Sequence, residues 1–142
     1  MTSTNLENLV KINQLKPEPP DQAQIDGMIR SAKNRLADLR IEGLSDDGRF
    51  LSAYGAAHAL SLAALRWHGY RSDNRYIVFQ CLPHTTGLED HKWRVLARCH
   101  NLRNQAEYEG ELDITPQLLQ ELIDLAHEVL TLVEALGPAT PI

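Results

Sequence analysis

The sequence predicts an all-α protein, an up-and-down bundle of four main helices with short additional helices. Apolar residues recur at spacings of three and four along most of the 142-residue chain, and this is the period of a helix. Residues that favour helix starts, such as Ser45 and Thr115, precede these periodic segments. The length fits a single domain over residues 1–142, and no repeat or internal boundary divides it.

The N-terminal part of the chain is predicted to hold two helices. A short helix with apolar residues between Leu6 and Leu15 ends at the KPEPP segment, residues 16–20, because proline interrupts helical hydrogen bonding. Asp21 is the expected N-cap of the second helix, with Gln24 in the capping-box position three residues later. We expect this second helix to end near Gly43.

The third helix begins after Ser45, and its sequence is rich in alanine and serine, which would let neighbouring helix backbones approach closely. Gly69 is its expected stop. The run YIVFQCL, residues 76–82, has the apolar character of a strand. However, Pro83 and the lack of a partner strand favour a short buried helix.

Two further helices complete the predicted bundle. Thr86–Glu89 has the pattern of a capping box and is expected to open a helix that runs to about Glu107. Thr115 and Pro116 form an N-cap followed by proline at the first helical position. The long, broadly apolar last helix is expected to end at residues 137–138, where glycine precedes proline.

The net charge of −5 argues against nucleic-acid binding over the whole surface. The charge is unevenly distributed, because residues 66–103 carry a net +4 and residues 104–142 a net −8. Two interpretations remain open. The basic middle could contact an anion locally, or the pattern could be ordinary surface charge.

The remaining composition points to a soluble protein without a metal or other cofactor. No run of 18 apolar residues and no signal segment is present, so we expect no membrane span and a cytoplasmic location. Cys81 and Cys99 are expected to be small buried apolar residues. The six histidines, among them His58 and His68, form no set at metal-ligand spacing and are interpreted as structural, with His84 as the exception at the rim of a site.

The helix over residues 88–107 has two faces that are not simply polar. Val95, Cys99, Leu102 and Ala106 share one face, which we assign to the core. Trp93, Leu96, His100, Asn104 and Glu107 share the other. A surface helix is normally polar on its outer side, so this second face is expected to meet another helix, a second subunit or a ligand.

The end of this helix, HNLRNQAEYEG, allows two interpretations. Arg103 and Glu107 could simply pair along the helix, with Tyr108 half-buried at its end and Gly110 permitting the turn. Alternatively, Arg103 and Asn104 could belong to a functional site.

The phrase LRNQAEYEG resembles the signature region of HEPN (higher eukaryotes and prokaryotes nucleotide-binding) domains. The upstream segment AYGAAHALSLAALRWHGYR is similar to the helix that ends in a GYR turn in one bacterial branch of that superfamily. An acidic loop and a long last helix follow, as in the family. The resemblance covers roughly residues 44–136 and implies an up-and-down helical bundle.

The resemblance also implies a homodimer whose signature helices face each other across a cleft, and in active members a metal-independent endoribonuclease, often a toxin. The family motif is an arginine followed after four to six residues by a histidine. Arg103 matches the arginine and Asn104 the polar residue after it, but Tyr108 stands where the histidine is expected. His100, one turn before Asn104, is our own candidate to replace it.

Two functions therefore remain open. The first is RNA cleavage or toxin-like activity, with Arg103, Asn104, Tyr108 and His100 as the catalytic set in an intersubunit cleft. The second is a non-catalytic module that binds a nucleotide, RNA or a protein partner, such as an antitoxin or a nucleotidyltransferase. In both cases the residues expected to contact RNA or nucleotide are Arg94, Arg98, Glu107 and His84.

Overall fold

The computed structural model describes residues 4–139 and shows a mostly helical protein. These residues form seven helices and two short strands: α1 (Thr4–Lys11), β1 (Lys16–Pro17), α2 (Gln22–Asp38), α3 (Asp46–Trp67), β2 (Tyr70–Arg71), α4 (Arg75–Gln80), α5 (Leu82–Thr85), α6 (Asp90–Glu109) and α7 (Pro116–Glu134). The strands pair antiparallel, with Lys16 opposite Arg71. The all-α prediction is therefore confirmed apart from this small ladder. None of the described helices is long and apolar enough to cross a membrane.

Three predicted helix starts are confirmed by their hydrogen bonds. The Asp21 carboxylate accepts from the Gln24 amide at 3.2 Å, and the Ser45 hydroxyl accepts from the Gly48 amide at 3.0 Å. The Thr115 hydroxyl accepts from the first turn of α7 in the same way. Each bond satisfies an amide that has no partner within its own helix. The run at residues 76–82 is also helical, as favoured over a strand.

The predicted start of the fourth main helix at Thr86–Glu89 is wrong, because α6 begins at Asp90. The Thr86 hydroxyl instead donates to the Leu82 carbonyl at 2.9 Å and so closes the end of α5. Gly87 has a φ of +79°, a left-handed conformation that cannot continue a helix. The short segment before α6 is therefore a link between two helices.

Helix α3 occupies the centre of the fold and packs against α2 and α7, with α4, α5 and α6 also in contact. Its fully buried positions include several small residues, namely Ala53, Ala56, Ala57, Ala63 and Ala64. Small side chains at these positions let α2 and α7 pack closely against it. Gly55 is covered by the guanidinium group of Arg35, and a Cβ at Gly55 would lie 2.7 Å from an Arg35 nitrogen.

A second, smaller apolar cluster lies beside the main core. It contains Leu6, Leu15, Leu65, Tyr70, Ile77, Val78 and Cys81. Helix α4 lies between the two, because Ile77 and Val78 belong to the smaller cluster while Phe79 belongs to the main core. The smaller cluster thus ties α1 and the segment after it to α4.

Arg66 is buried, with 3% of its surface exposed, and holds the KPEPP segment against α3. Its guanidinium group donates to the backbone carbonyls of Glu18 and Pro19, both at 3.0 Å, and lies 3.2 Å from the Glu18 carboxylate. A buried charge is tolerated only when such partners replace water. Arg66 is therefore a structural anchor.

The second face of this helix meets other helices of the same chain, which was one of the three partners expected for it. Trp93 and Leu96 therefore do not point away from the core, as the dimer interpretation requires. Both are buried in the core of this chain, and Trp93 packs edge-on against Tyr76 of α4 at 5.8 Å between ring centroids. Helix α6 contacts α3, α4 and α5 as well as α7. Both of its apolar faces are thus used within the chain, and no second subunit is needed to cover them.

The expectation that Cys81 and Cys99 are buried is confirmed. Burial raises the pKa of each thiol to about 12, which keeps both protonated and unreactive at neutral pH.

Candidate functional site

The predicted site residue His100 lies where α3, α4 and α6 meet around the ring of Tyr54. The Tyr54 and His100 rings are nearly parallel, with centroids 6.3 Å apart. Phe79 of α4 lies edge-on to Tyr54 at 5.9 Å and edge-on to His58 at 6.0 Å. His58 follows Tyr54 by one turn of α3, so both side chains project from the same side of that helix.

Two arginines complete this arrangement. The guanidinium carbon of Arg75, the first residue of α4, lies 5.7 Å from the centroid of the Tyr54 ring, and that of Arg103 lies 5.6 Å from it. Both distances allow cation–π attraction. Arg103 also pairs with Glu107 at 3.1 Å, whereas Arg75 makes no ion pair within residues 4–139. We call Tyr54, His58, Arg75, His100, Arg103 and Asn104 the Tyr54 cluster.

A chain of hydrogen bonds fixes the orientation of His100. Arg103 donates to the Asn104 amide oxygen at 3.4 Å, so the Asn104 nitrogen faces His100 Nε2, which lies 3.2 Å away. Nε2 must then accept, and the neutral ring carries its proton on Nδ1. Nδ1 lies 2.7 Å from the Tyr54 hydroxyl and donates to it. The hydroxyl proton of Tyr54 is left available to another acceptor.

The surroundings of the two histidines favour their neutral forms. Burial, followed by the charges of Arg75 and the two α6 residues His100 and Arg103, lowers the pKa of His58 to about 4. Burial, followed by the charges of Arg103 and Arg75, also lowers the pKa of His100. The cluster therefore presents two fixed positive charges beside two neutral imidazoles at neutral pH. This combination favours an anionic ligand.

The phenol of Tyr54 stays protonated. Burial raises its pKa, and the nearby Arg75 and Arg103 charges only partly oppose the rise. A protonated phenol can donate a hydrogen bond but cannot act as a base at neutral pH.

A groove of about 310 Å³ opens beside Arg103, between the start of α3 and the end of α6. Its apolar lining comes from Phe50, Leu51, Ala106 and Leu112, and its carboxylates from Asp47 and Glu107. We call it the Arg103 groove. Arg103 belongs both to this groove and to the Tyr54 cluster, so the two lie side by side. Phe50, which is buried beneath the groove, stacks on Tyr54 at 5.8 Å between ring centroids.

A larger groove of about 570 Å³ lies between α2 and the end of α7. The Lys33–Glu134 ion pair, at 2.8 Å, lies at its edge, and its lining contains no member of the Tyr54 cluster. Its lining contains none of the residues predicted to be catalytic or to bind RNA.

The structure brings three of the four residues predicted to be catalytic into one place, namely His100, Arg103 and Asn104. It does not bring Tyr108 to them. The Tyr108 side chain is 94% exposed and makes no hydrogen bond or ring contact with the described residues. The expectation that Tyr108 is half-buried at the helix end is therefore wrong.

Among the residues predicted to contact RNA, only Glu107 reaches the cluster, through its ion pair with Arg103. Arg94 pairs with Asp90 at 2.9 Å and covers the Trp93 ring at the start of α6. Arg98 is exposed, and the His84 ring lies 3.3 Å from the side-chain nitrogen of Asn5 in α1. These last three do not converge with the others.

Sequence reasoning missed Tyr54, His58 and Arg75. His58 was interpreted as structural, and Arg75 entered only the count of basic residues. The available signal was the spacing of Tyr54 and His58, which repeats the four-residue spacing of His100 and Asn104. Each of the helices α3 and α6 thus carries a histidine and a second polar residue four positions apart, and the two pairs could have been predicted to face each other.

Comparison of the chain with protein-family models, with curated proteins and with solved structures found no match. The chemical capacity of the site therefore rests on its own geometry. The Tyr54 cluster can bind an anion through two arginines and can accept a proton at a neutral imidazole.

Proposed function

We propose that this protein is HEPN-like and acts on RNA. In this proposal the Tyr54 cluster binds an RNA phosphate and cleaves the RNA strand without a metal ion. The observation that carries this proposal is the convergence of two arginines and His100 on the Tyr54 ring, with the neutral His58 one turn further along α3. Metal-free cleavage needs cations for the phosphate charge and a base for the attacking hydroxyl.

Arg75 and Arg103 bind the phosphate in this proposal. Guanidinium groups match two phosphate oxygens at once, and their charge does not depend on pH in the working range. Arg103 already holds one carboxylate, that of Glu107, in an exposed ion pair. Such a pair contributes little stability, so an RNA phosphate, which also carries one negative charge and is held by Arg75 as well, can replace it.

His58 is the proposed general base. Its ring nitrogens make no hydrogen bond within the described residues. Its pKa of about 4 leaves the ring unprotonated but weakly basic, and the negative charge of a bound phosphate would raise that pKa and make His58 a better base. It accepts the proton of the ribose 2′-hydroxyl while the 2′-oxygen forms a bond to phosphorus. The bond from phosphorus to the 5′-oxygen breaks, and water protonates the leaving oxygen. The products are a 2′,3′-cyclic phosphate and a 5′-hydroxyl.

His100 acts as a positioning residue in this proposal. Both of its ring nitrogens are engaged, one by Asn104 and one by Tyr54, so it is poorly placed to accept a further proton. It directs the Tyr54 hydroxyl proton towards the bound phosphate instead. In this proposal His58, and not His100 as expected from the sequence, takes the role of the missing motif histidine.

The second candidate is a non-catalytic module that binds a nucleotide, RNA or a protein partner such as an antitoxin or nucleotidyltransferase. The engagement of both His100 nitrogens favours it, because the histidine on the signature helix then serves to hold the site together. In this case the same arginines bind phosphate and no strand is broken.

The HEPN-like four-helix bundle and the homodimer also belong to the proposal. The four helices of 17 to 22 residues, α2, α3, α6 and α7, would be the bundle. The Tyr54 cluster is complete within one chain, so cleavage does not require a dimer. Light scattering at high micromolar concentration tests the dimer separately, and a monomer would exclude it.

RNA cleavage in the presence of EDTA tests the function. The wild type is compared with Arg103→Ala, Arg75→Ala and His58→Gln. Arg30→Ala serves as the control for loss of a basic side chain, because Arg30 is exposed on α2 and is not among the expected RNA contacts. We expect cleavage by the wild type and the control, and at least a ~100-fold loss in the three cluster variants.

Salt-dependent RNA binding without cleavage by the folded wild type would support the binding module instead. Absence of both binding and cleavage, with several RNAs, would contradict both candidates. Cleavage that survives in Arg103→Ala and His58→Gln would place the activity elsewhere on the chain.

A further inference from the structure

The Arg103 groove has features that a phosphate site alone does not need. It is lined by apolar side chains next to a charged cluster, and one of them, Leu51, is 53% exposed. A large apolar residue that stays exposed beside a cationic site offers a contact surface to a flat apolar ligand. A nucleobase attached to a bound phosphate is such a ligand.

The geometry places this surface within reach of the phosphate site. Arg103 belongs to both, since its guanidinium group lies over the Tyr54 ring and also lines the groove. Phe50, which lines the groove, stacks on the same Tyr54 ring. Phe50 is itself fully buried, so the apolar surface open to a ligand comes from Leu51, Ala106 and Leu112. A nucleotide with its phosphate on Arg103 would therefore place its base against these side chains. Only an unpaired base could enter, because a paired base is covered on its edge by its partner.

The carboxylates of the groove select among bases. Asp47 and Glu107 line the groove from α3 and α6. An ionised carboxylate only accepts hydrogen bonds, and it accepts two from neighbouring donors. Guanine presents two adjacent donors, N1–H and the 2-amino group, on its pairing edge. Adenine, cytosine and uracil each present a single donor group on that edge, directly beside an acceptor. None of them can therefore donate to both oxygens of one carboxylate, as guanine can.

We propose that the Arg103 groove is a specificity site for an unpaired guanine next to the phosphate bound by the Tyr54 cluster. This inference rests on the proposed function, because the base is held beside a phosphate that Arg75 and Arg103 bind. The carboxylate of Asp47 accepts from the pairing edge of guanine. Glu107 joins it when the phosphate displaces it from Arg103.

Calorimetric titration in EDTA with inorganic phosphate and with the 3′- and 5′-monophosphates of the four nucleosides tests the inference. Asp47→Asn removes one groove carboxylate. Asp46→Asn is the matched control, because Asp46 is the neighbouring acid in the same first turn of α3 and does not line the groove.

We expect a guanosine monophosphate to bind about five- to 100-fold more tightly than the other three nucleotides. This preference should be lost in Asp47→Asn and kept in Asp46→Asn. Equal binding of all four nucleotides would overturn the guanine site and leave the phosphate site standing. No binding of any nucleotide or of phosphate would overturn the proposed function and this inference together. A guanine preference that Asp47→Asn leaves intact would place the base elsewhere.

Discussion

His58 shows how strongly one side chain can depend on residues that are distant in the sequence. Its ring is mostly buried and faces Arg75 from α4 and His100 and Arg103 from α6. All of these oppose a proton on the imidazole, and Glu107, the acid that pairs with Arg103, is exposed. The lowered pKa of His58 is thus a property of the folded chain.

The free energy of unfolding is therefore expected to fall as the pH is lowered from about 6.5 to about 4. The unfolded state binds a proton at His58 near pH 6.5, whereas the folded state does so only near its lowered pKa of about 4. Protons thus favour unfolding across this window. The free energy of unfolding loses on the order of 3 kcal/mol from His58 across this window. This stability is fully present above about pH 6.5 and is lost below about pH 4.

Denaturant unfolding of the wild type and of His58→Gln at several pH values checks this expectation. The variant should show a shallower fall, and the remainder should include the contribution of His100, whose pKa is also lowered. Identical slopes in the two proteins would mean that His58 is not held neutral by the fold.

The residues of the site could be predicted only where one helix carries them. His100, Arg103 and Asn104 lie within two turns of α6, so their proximity follows from the helical period. Arg75 and His58 come from other helices, and their approach depends on how α3, α4 and α6 pack. No spacing in the sequence encodes that packing directly.

At the scale of elements, Arg66 is expected to contribute strongly to stability. Replacement by methionine keeps the length of the side chain but leaves the carbonyls of Glu18 and Pro19 without their donor. We expect Arg66→Met to lower the free energy of unfolding by about 1–3 kcal/mol, because two part-buried carbonyls lose hydrogen bonds from a charged donor.

Arg98→Met is the matched control, since Arg98 is exposed on α6 and forms no ion pair within residues 4–139. Its change should stay within about 0.5 kcal/mol. Thermal or urea unfolding measures both variants. A loss in Arg66→Met no larger than in Arg98→Met would show that the anchored segment adds nothing to stability.

Helix starts were predictable where a cap stood directly before an apolar periodic segment. Ser45 and Thr115 satisfy this condition and cap their helices. Thr86 has the same pattern but does not begin a helix, because Gly87 adopts a left-handed conformation directly after it. The Thr86 hydroxyl donates to the Leu82 carbonyl of α5 and accepts from the Leu88 amide in the link before α6. The sequence pattern does not distinguish a hydroxyl that caps a helix from one that stabilises a turn.

For the whole molecule, the decisive correction concerns Leu96. A leucine whose surface is covered within its own chain should matter for folding and not for association. We expect Leu96→Ala to lower the free energy of unfolding by about 2–5 kcal/mol, at any protein concentration, through lost apolar burial and the cavity left behind.

Leu51→Ala is the control, because Leu51 is largely exposed and its loss should cost much less. Unfolding measured at two protein concentrations separates the alternatives. A cost in Leu96→Ala that disappears on dilution would restore the second-subunit interpretation of this face.

The fold class followed from periodicity, but the side of α6 that meets the core did not. The helical period identifies residues that share a face, such as Trp93 and Leu96, without identifying what covers that face. Since α6 is enclosed by helices on more than one side, both faces are apolar. A helical-wheel projection of α6 alone would treat one of its two apolar faces as exposed to solvent.

Because α4 lies between the two apolar clusters, changes near the amino terminus are expected to affect the Tyr54 cluster. Arg75 reaches the Tyr54 cluster from a helix of only six residues, and the burial of Ile77 and Val78 depends partly on Leu6 and Leu15. Substitutions near the beginning of the chain would thus move the guanidinium group of Arg75 through the packing of α4, although they make no contact with Arg75. Amino-terminal tags, truncations or substitutions are therefore expected to shift the guanidinium group of Arg75 in the Tyr54 cluster and to leave that of Arg103 in place.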